Sequence, residues 1–250
     1  DVRNAKVESS RDWKEDALRR DFTINSIYAD RYGNLFDPYD GKKDIENGSI
    51  NFIGDADNRL KEDYLRILRY LRFFLNYSKL PHNLNVIKTL KMNIGGISKL
   101  SRDRLLDELK KIVKPDILEK LSKDKLCLEL ILIIFPELKY INIFSKLNLN
   151  NKHLLIEKDF IFLLSLLIVD ETDNVDYFLY KFNISKKDQK RIKIIDNFYK
   201  EKITKKSFTE KKINKVFYYY GKQAVDDILI FGIFKYQKYS KNLIELNQIF

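Results

Sequence analysis

Residues 61–73 read Lys61-Glu62-Asp63-Tyr64-Leu65-Arg66-Ile67-Leu68-Arg69-Tyr70-Leu71-Arg72-Phe73, which sets one carboxylate and three guanidiniums at intervals of three residues. At about 100° per residue in a helix, these charged side chains form one polar stripe, and the leucines and the isoleucine fall on the other side. The spacing therefore predicts a single amphipathic helix with a core face and a face lined by arginines.

The first acid and arginine of this stripe have a chemical use beyond a salt bridge. Cytosine and adenine each present an amino donor beside a ring-nitrogen acceptor, and a carboxylate beside a guanidinium offers the complementary acceptor and donor. Uracil and guanine present the opposite order, which costs about 1–3 kcal/mol for each buried group left unsatisfied. Asp63 and Arg66 are thus candidates to select C and A. The alternative is a surface ion pair, worth about 0.2–0.5 kcal/mol to a helix.

Four further segments resemble a known family in order and spacing. They are residues 16–30, residues 34–45, Ile53-Gly54-Asp55 with Arg59, and residues 97–109. Together with residues 62–73 they resemble the motifs of the bacterial CCA-adding tRNA nucleotidyltransferase and poly(A) polymerase family (class II). The resemblance is continuous from about residue 8 to residue 113, and a run of motifs in fixed order is more specific than any one motif.

The resemblance implies a nucleotide-binding role for each matching residue. Arg20 matches the arginine that contacts the incoming nucleoside triphosphate, and Asp21 matches the neighbouring acid associated with the ribose. Asp63 and Arg66 match the protein template that pairs with the base.

Two more pairs of residues match family positions. Arg69 and Arg72 match arginines on the triphosphate side, where a planar guanidinium suits phosphate oxygens. Asp37 and Gly41 match a hinge motif whose closure reorients the template. For Asp37, a turn between strand and helix is an equally good explanation.

The metal site of the family does not match. The resemblance places the metals on an Asp-x-Asp pair after a Gly-Gly-x-Val-Arg-Asp loop, and neither motif occurs before Arg19. Asp55-Ala56-Asp57 has the spacing but precedes a predicted helix, where its acids are better explained as N-caps. We therefore assign no catalytic and no metal-binding residue in this chain. The expected Mg²⁺ is held by a missing head segment, whether truncated from this sequence or on a separate head-containing chain.

Paired carboxylates hold Mg²⁺ across the attacking and leaving oxygens of nucleotidyl transfer. Without them, we expect this chain to bind CTP, ATP and RNA weakly and to transfer nothing by itself.

The charge of the chain points to an anionic partner. Its 47 basic and 36 acidic residues give a net charge of +11, which favours nucleic acid. The C-terminal third is rich in lysine, interleaved with Phe198, Tyr199, Phe208 and residues 218–220, and predicts a surface that contacts tRNA phosphates. A solvated lysine-rich face over an aromatic core is the alternative. The RNA-binding candidates are Lys186, Lys187, Lys190, Arg191, Lys205 and Lys206.

Other classes of site find no support in the sequence. Cys127 is the only cysteine, so an internal disulfide is excluded, and His82 and His153 lack metal-ligand spacing. The longest apolar run, residues 160–169, is shorter than the roughly 20 residues that cross a bilayer. With no signal-peptide pattern at the start, we predict a cytoplasmic protein without a membrane partner.

The predicted fold is mainly α. Residues 24–36 predict a hairpin, and the resemblance makes residues 1–50 the remnant of a nucleotidyltransferase head (short β-hairpin plus helix). An all-helical neck with the template helix (51–114) and a tRNA-binding body and tail (115–250) follow. Ser101 is a candidate N-cap for a helix ending near Val113, and Pro115 is placed to begin the next. Later helices are predicted at about 116–122, 125–134, 157–169, 174–182, 186–200, 209–219 and 221–247.

Three functions are compatible with these observations. The first is addition of the 3′-terminal CCA to tRNA from CTP and ATP. The second is poly(A) polymerase activity in the same family, since the Glu62-Asp63-x-x-Arg66 motif does not separate the two. The third is a noncatalytic RNA-binding subunit that keeps the template helix.

Overall fold

A computed structural model describes residues 12–147, 149–201, 203–236 and 240–249. The chain forms two compact units, residues 1–100 (unit 1) and residues 101–250 (unit 2). The predicted mainly α class is confirmed, and the described strands form a single two-stranded sheet. The predicted division at residues 50 and 114 stays a prediction.

Unit 1 combines short helices with a small hairpin. The predicted hairpin is confirmed, and its antiparallel register pairs Tyr28 with Phe36 and Ala29 with Leu35. The predicted head remnant had one helix of unstated bounds, whereas the structure has one helix before the hairpin and one after it, and a further helix at residues 84–93 lies in the segment predicted to be all-helical. The elements are α1 (Trp13–Arg19), β1 (Tyr28–Ala29), β2 (Leu35–Phe36), α2 (Gly41–Asn47), α3 (Ala56–Glu62), α4 (Arg66–Tyr77) and α5 (Leu84–Asn93), with 3-10 turns at Thr23–Asn25 and Ile94–Lys99.

The prediction of one helix through residues 61–73 is wrong, because α3 ends at Glu62 and α4 begins at Arg66. Asp63 has an extended backbone (φ −154°), and its Oδ1 accepts the N–H of Leu65 at 3.1 Å. A short acidic side chain that bonds to the backbone two residues on competes with the helix. The Arg66 N–H then donates to the Asp63 carbonyl at 3.1 Å and closes a tight turn between the two helices.

The predicted core face of α4 is confirmed. Ile67, Leu68 and Leu71 are completely buried. Tyr70 is buried with them and stacks on Phe52, with the ring centroids 5.8 Å apart. This apolar face fixes α4 in unit 1 and so fixes the direction of the arginines on its other side.

The secondary-structure elements in the described residues of unit 2 are all α-helices or 3-10 turns, as predicted. Ser101 caps α6 by accepting the N–H of Arg104 at 3.4 Å, and Pro115 occupies the first turn of α7. The helices are α6 (Arg102–Ile112), α7 (Pro115–Lys123), α8 (Lys125–Ile134), α9 (Leu149–Ile156), α10 (Phe160–Ile168), α11 (Asn174–Lys181), α12 (Lys186–Lys200), α13 (Glu210–Lys235) and α14 (Ser240–Ile249), with 3-10 turns at Ile141–Lys146 and Lys205–Phe208.

The long C-terminal helices differ from the prediction. Gly221 has φ 80° and ψ 179°, and it interrupts α13 at the predicted boundary. The predicted helix 221–247 is wrong as a single helix, because Tyr236 leaves the helical conformation (φ −124°, ψ 60°) and α14 is separate.

Helix α10 is deeply buried in unit 2, with residues 162–168 all inaccessible to solvent or nearly so. Its single hydroxyl, on Ser165, donates to the carbonyl of Ile161 at 2.8 Å, so no polar group of that side chain is left unsatisfied. Within the described ranges, no helix has the length and hydropathy needed to span a lipid bilayer.

Candidate functional site

Residues 21–23 pair with residues 51–53 through backbone hydrogen bonds, and this pairing fixes the position of Asp21 within unit 1. The Ile53 N–H donates to the Asp21 carbonyl and the Thr23 N–H donates to the Asn51 carbonyl, both at 3.1 Å. Phe22 and Phe52 form the bridge between the two segments. Asp21 is consequently held almost completely buried, at 4% exposure.

Two arginines of α4 neutralise the Asp21 carboxylate. Arg66 Nε donates to Asp21 Oδ1 at 2.7 Å, and Arg69 Nε lies 2.7 Å from Asp21 Oδ2 in an ion pair. Arg66 is itself buried, at 8% exposure. A carboxylate removed from water is costly unless it is paired and hydrogen-bonded, so these arginines are part of what allows Asp21 to be buried.

Arg66 makes further bonds through one terminal nitrogen. Nη1 donates to the Arg59 carbonyl at 2.7 Å and to Glu62 Oε2 at 2.6 Å. The Arg66 hydrogen bond lowers the pKa of Glu62. Burial opposes the charge of Arg66, but hydrogen bonds to Glu62 and Asp21 outweigh it and raise its pKa. Both groups are therefore charged at neutral pH. Among the described residues, the hydrogen bonds of Arg66 are made by Nε and Nη1.

Arg59 also belongs to this arrangement, although no role is predicted for it from the sequence. Its Nη1 lies 2.5 Å from Glu62 Oε2, and its Nη2 donates to the carbonyl of Arg20. Its position three residues before Glu62 was the available signal, since residues three apart on a helix are neighbours. We call Asp21, Arg59, Glu62, Arg66 and Arg69 the acid–arginine cluster.

The two template candidates lie at the two ends of the turn between α3 and α4. Arg66 is directed to Asp21 and Glu62, and the half-buried Asp63 bonds to the Leu65 N–H. The expectation that they share one helix face is wrong, since Asp63 is outside both helices. They remain joined by the backbone hydrogen bond of the turn. Their template role stays a prediction.

The predicted triphosphate contacts, Arg20, Arg69 and Arg72, are all in unit 1. Arg20 is half-exposed and its Nη2 bonds to Asp16 Oδ2 at 2.9 Å. Hydrogen bonds from Tyr28 and then Arg20 lower the pKa of Asp16. Arg72 lies over the ring of Phe73 at 4.5 Å. Their phosphate contacts also stay predictions.

The hinge candidates have clear local roles. Asp37 accepts the N–H groups of Gly41 and Lys42, each at 2.8 Å, and so caps the start of α2. Gly41 is buried against the 3-10 turn at Thr23, where an added Cβ would lie 2.2 Å from the Thr23 carbonyl oxygen. The hinge role stays a prediction.

Replacing Gly41 with alanine is expected to lower the free energy of unfolding by about 1–2 kcal/mol, because the new methyl group meets backbone atoms. Gly95→Ala is the matched control: a Cβ there meets nothing within 4 Å, and the expected change is within about 0.5 kcal/mol. Chemical denaturation of both variants measures this difference. Equal stabilities would contradict the close packing of α2 on residues 23–25.

The residues with Asp-x-Asp spacing do not fit a magnesium ion. Asp55 caps α3 by accepting the Asn58 N–H at 2.9 Å, as predicted. Asp57 lies 2.5 Å from Lys61 Nζ and accepts a hydrogen bond from Asn93 at 2.8 Å. The expectation that both acids are N-caps is confirmed for Asp55 and wrong for Asp57, which bonds to Lys61 and to Asn93. The prediction that another segment binds Mg²⁺ stays a prediction.

The RNA-binding candidates of unit 2 lie on and after α12. Lys186, Lys187 and Lys190 are exposed on α12. Arg191 instead makes a two-point ion pair with the buried Asp227, at 2.7 and 3.0 Å, and also bonds to Asp159. This pairing gives Arg191 a structural role, and its RNA contact stays a prediction. The side chains of Lys205 and Lys206 lie outside the described residues.

Comparison with known proteins places these residues in a family. Residues 1–51 match the family described as "Poly A polymerase head domain". A CCA-adding enzyme of Staphylococcus haemolyticus is 31% identical over 230 residues, which is 91% of this chain and 54% of that protein. The chain is therefore similar to CCA-adding enzymes along 91% of its length and to the poly(A) polymerase head domain at its start. The mitochondrial CCA tRNA nucleotidyltransferase 1 of mouse is 42% identical over 118 residues, 46% of this chain and 27% of that protein.

Solved structures show that family members share the fold. A tRNA nucleotidyltransferase complexed with a primer tRNA and an incoming ATP analog aligns with a TM-score of 0.66 and 21% identity, over 98% of this chain and 75% of that chain. The Bacillus stearothermophilus CCA-adding enzyme in complex with CTP aligns with a TM-score of 0.64 and 20% identity, over 95% of this chain and 60% of that chain. The chain thus spans about half of the curated bacterial relative.

Proposed function

We propose that this chain is the nucleotide-selecting and tRNA-binding part of an enzyme that adds the 3′-terminal CCA to tRNA from CTP and ATP. The related proteins are named as CCA-adding enzymes and tRNA nucleotidyltransferases, and two of the solved relatives hold CTP and an ATP analog. Mg²⁺ as cofactor and a cytoplasmic location are part of the same proposal.

The observation that carries the proposal is the position of Arg66. Its guanidinium is fixed by Asp21 and Glu62, and Asp21 directly follows the triphosphate candidate Arg20. A hydrogen-bond donor that is already fixed before the ligand binds loses little conformational entropy on binding, and its fixed direction favours a selective contact. Arg66 offers N–H donors to a ring nitrogen, while Asp63, at the other end of the turn, offers an acceptor to an amino group. Cytosine and adenine fit this order of groups.

The test supplies this chain with a head segment that carries the Gly-Gly-x-Val-Arg-Asp and Asp-x-Asp motifs, together with tRNA that lacks its 3′ end. We expect incorporation of CMP and then AMP from labelled CTP and ATP, and none from UTP or GTP. Incorporation of AMP alone, in long runs, would contradict CCA addition and favour a poly(A) polymerase. Incorporation by this chain without the head would contradict the prediction that the residues of this chain include no catalytic carboxylates.

Binding of tRNA by the full chain is expected to weaken as salt rises. Each phosphate contact contributes about −0.7 to −0.9 to the slope of log affinity against log salt, so three contacts, made by the exposed Lys186, Lys187 and Lys190 of α12, give a slope of about −2 to −3. Fluorescence anisotropy with labelled tRNA between low and moderate salt measures the slope. Binding that does not change with salt would contradict a phosphate-contacting surface.

A further inference from the structure

A cleft of about 210 Å³ lies between α12 and the part of α13 around Gly221, entirely within unit 2. Its floor is apolar and is formed by Ile194, Ile195 and Ala224. Small-molecule pockets measure about 300–1,000 Å³, so this cleft has room for one small planar group and not for a larger ligand.

The interruption of α13 at Gly221 shapes one wall of the cleft. Tyr220 ends the first half of the helix and Gln223 lies in the first turn of the second half, and both line the cleft. Tyr220 is about half-exposed (52%) and Gln223 is exposed. The wall therefore offers an accessible aromatic face beside an amide that both donates and accepts hydrogen bonds.

The charges around the cleft favour a phosphate-bearing ligand. Lys187 and Lys190 line the cleft and are exposed. The acid of the cleft, Asp227, is buried, and both of its oxygens accept hydrogen bonds from Arg191. Because Arg191 neutralises this carboxylate, it does not repel an anion, and the charge that faces solvent is that of the two lysines.

We propose that this cleft binds one unpaired nucleotide of the RNA, with its base on the apolar floor against Tyr220. Gln223 hydrogen-bonds the edge of the base, and Lys187 and Lys190 contact the flanking phosphates. Proteins bind single-stranded bases through an aromatic face with adjacent cations. An acidic peptide would contact the lysines but would not require the exposed ring of Tyr220. The inference rests on the proposed function only in taking tRNA as the RNA.

The test measures the affinity of the full chain for fluorescent tRNA lacking its 3′ end, at fixed salt. Tyr220→Ala is expected to weaken binding about tenfold, the usual effect of losing one base stack, while Tyr220→Phe stays within about twofold because the ring remains. Tyr177→Ala is the matched control, since Tyr177 is a similarly exposed tyrosine (57%) on α11. It is expected to bind like the wild type.

Salt dependence separates the stacking residue from the lysines. Tyr220→Ala is expected to lower affinity with an unchanged salt slope, whereas the double variant Lys187→Ala/Lys190→Ala is expected to reduce the slope by about 1.4–1.8. Wild-type affinity in Tyr220→Ala, or equal losses in Tyr220→Ala and Tyr177→Ala, would overturn the nucleotide cleft and leave CCA addition standing. A wild-type chain that does not bind tRNA at low salt would overturn both proposals.

Discussion

Replacing Arg66 with alanine is expected to lower the free energy of unfolding of the chain by about 3–5 kcal/mol, the usual effect of breaking a buried ion pair. The substitution leaves the buried Asp21 with Arg69 as its remaining cation and removes the donor that holds Glu62 and the Arg59 carbonyl. Urea denaturation of the variant and the wild type measures the difference.

Two control variants test whether the loss of stability comes from the buried ion pair. Arg19→Ala removes an exposed arginine 3.8 Å from Glu15 in the same unit, and the expected change is within about 0.5 kcal/mol. The double variant Asp21→Asn/Arg66→Met removes both buried charges and is expected to recover most of the stability. It is not expected to recover nucleotide incorporation, because the donor to the base is gone. An Arg66→Ala chain as stable as the wild type would contradict the buried Asp21–Arg66 ion pair of the acid–arginine cluster.

Replacing Asp63 with asparagine is expected to relax the choice of nucleotide without unfolding the chain. The asparagine oxygen still accepts the Leu65 N–H, so the turn between α3 and α4 is kept. Its amide nitrogen, however, donates to the carbonyl of uracil or guanine, which a carboxylate opposes. At about 1–3 kcal/mol for each mismatched group, the preference for CTP over UTP, and for ATP over GTP, falls roughly 10- to 100-fold. Incorporation with the added head segment measures both ratios.

Asp55→Asn is the matched control for this substitution. It makes the same chemical change at the N-cap of α3, where asparagine caps as well as aspartate, and nucleotide choice is expected to stay the same. Asp63→Ala is expected to lose both the selection and the bond that holds the turn, so it is less stable than Asp63→Asn. A loss of selection in Asp55→Asn equal to that in Asp63→Asn would contradict a specific role for Asp63.

Elements governed by local signals were predictable from the sequence. Helices α8 and α12 begin and end at the predicted residues. Ser101 and Pro115 mark the starts of α6 and α7 because capping and proline geometry act within one turn. The apolar face of α4 followed from its period, since burial of one side is what fixes such a helix.

Interactions between distant residues were not predictable. The Asp21–Arg66 bond joins residues 45 apart in the sequence, and the Arg191–Asp227 bond joins residues 36 apart. Hydrophobic periodicity predicts which face of a helix is polar. It does not predict which acidic residue an arginine on that face contacts. The helix is interrupted at Asp63 because the Asp63 side chain bonds to the backbone N–H of Leu65 and so competes with the helical conformation. The regular charge spacing of residues 61–73 did not indicate this competition.

The most direct test of base selection by Asp63 and Arg66 is the equilibrium binding of the four nucleoside triphosphates to the full chain, which requires no catalysis. We expect CTP and ATP to bind at least about tenfold more tightly than UTP and GTP, which corresponds to about 1.4 kcal/mol. In Asp63→Asn, this difference is expected to shrink toward equality. Equal affinities of the wild type for all four nucleotides, or an unchanged preference in Asp63→Asn, would contradict selection by this acid and arginine.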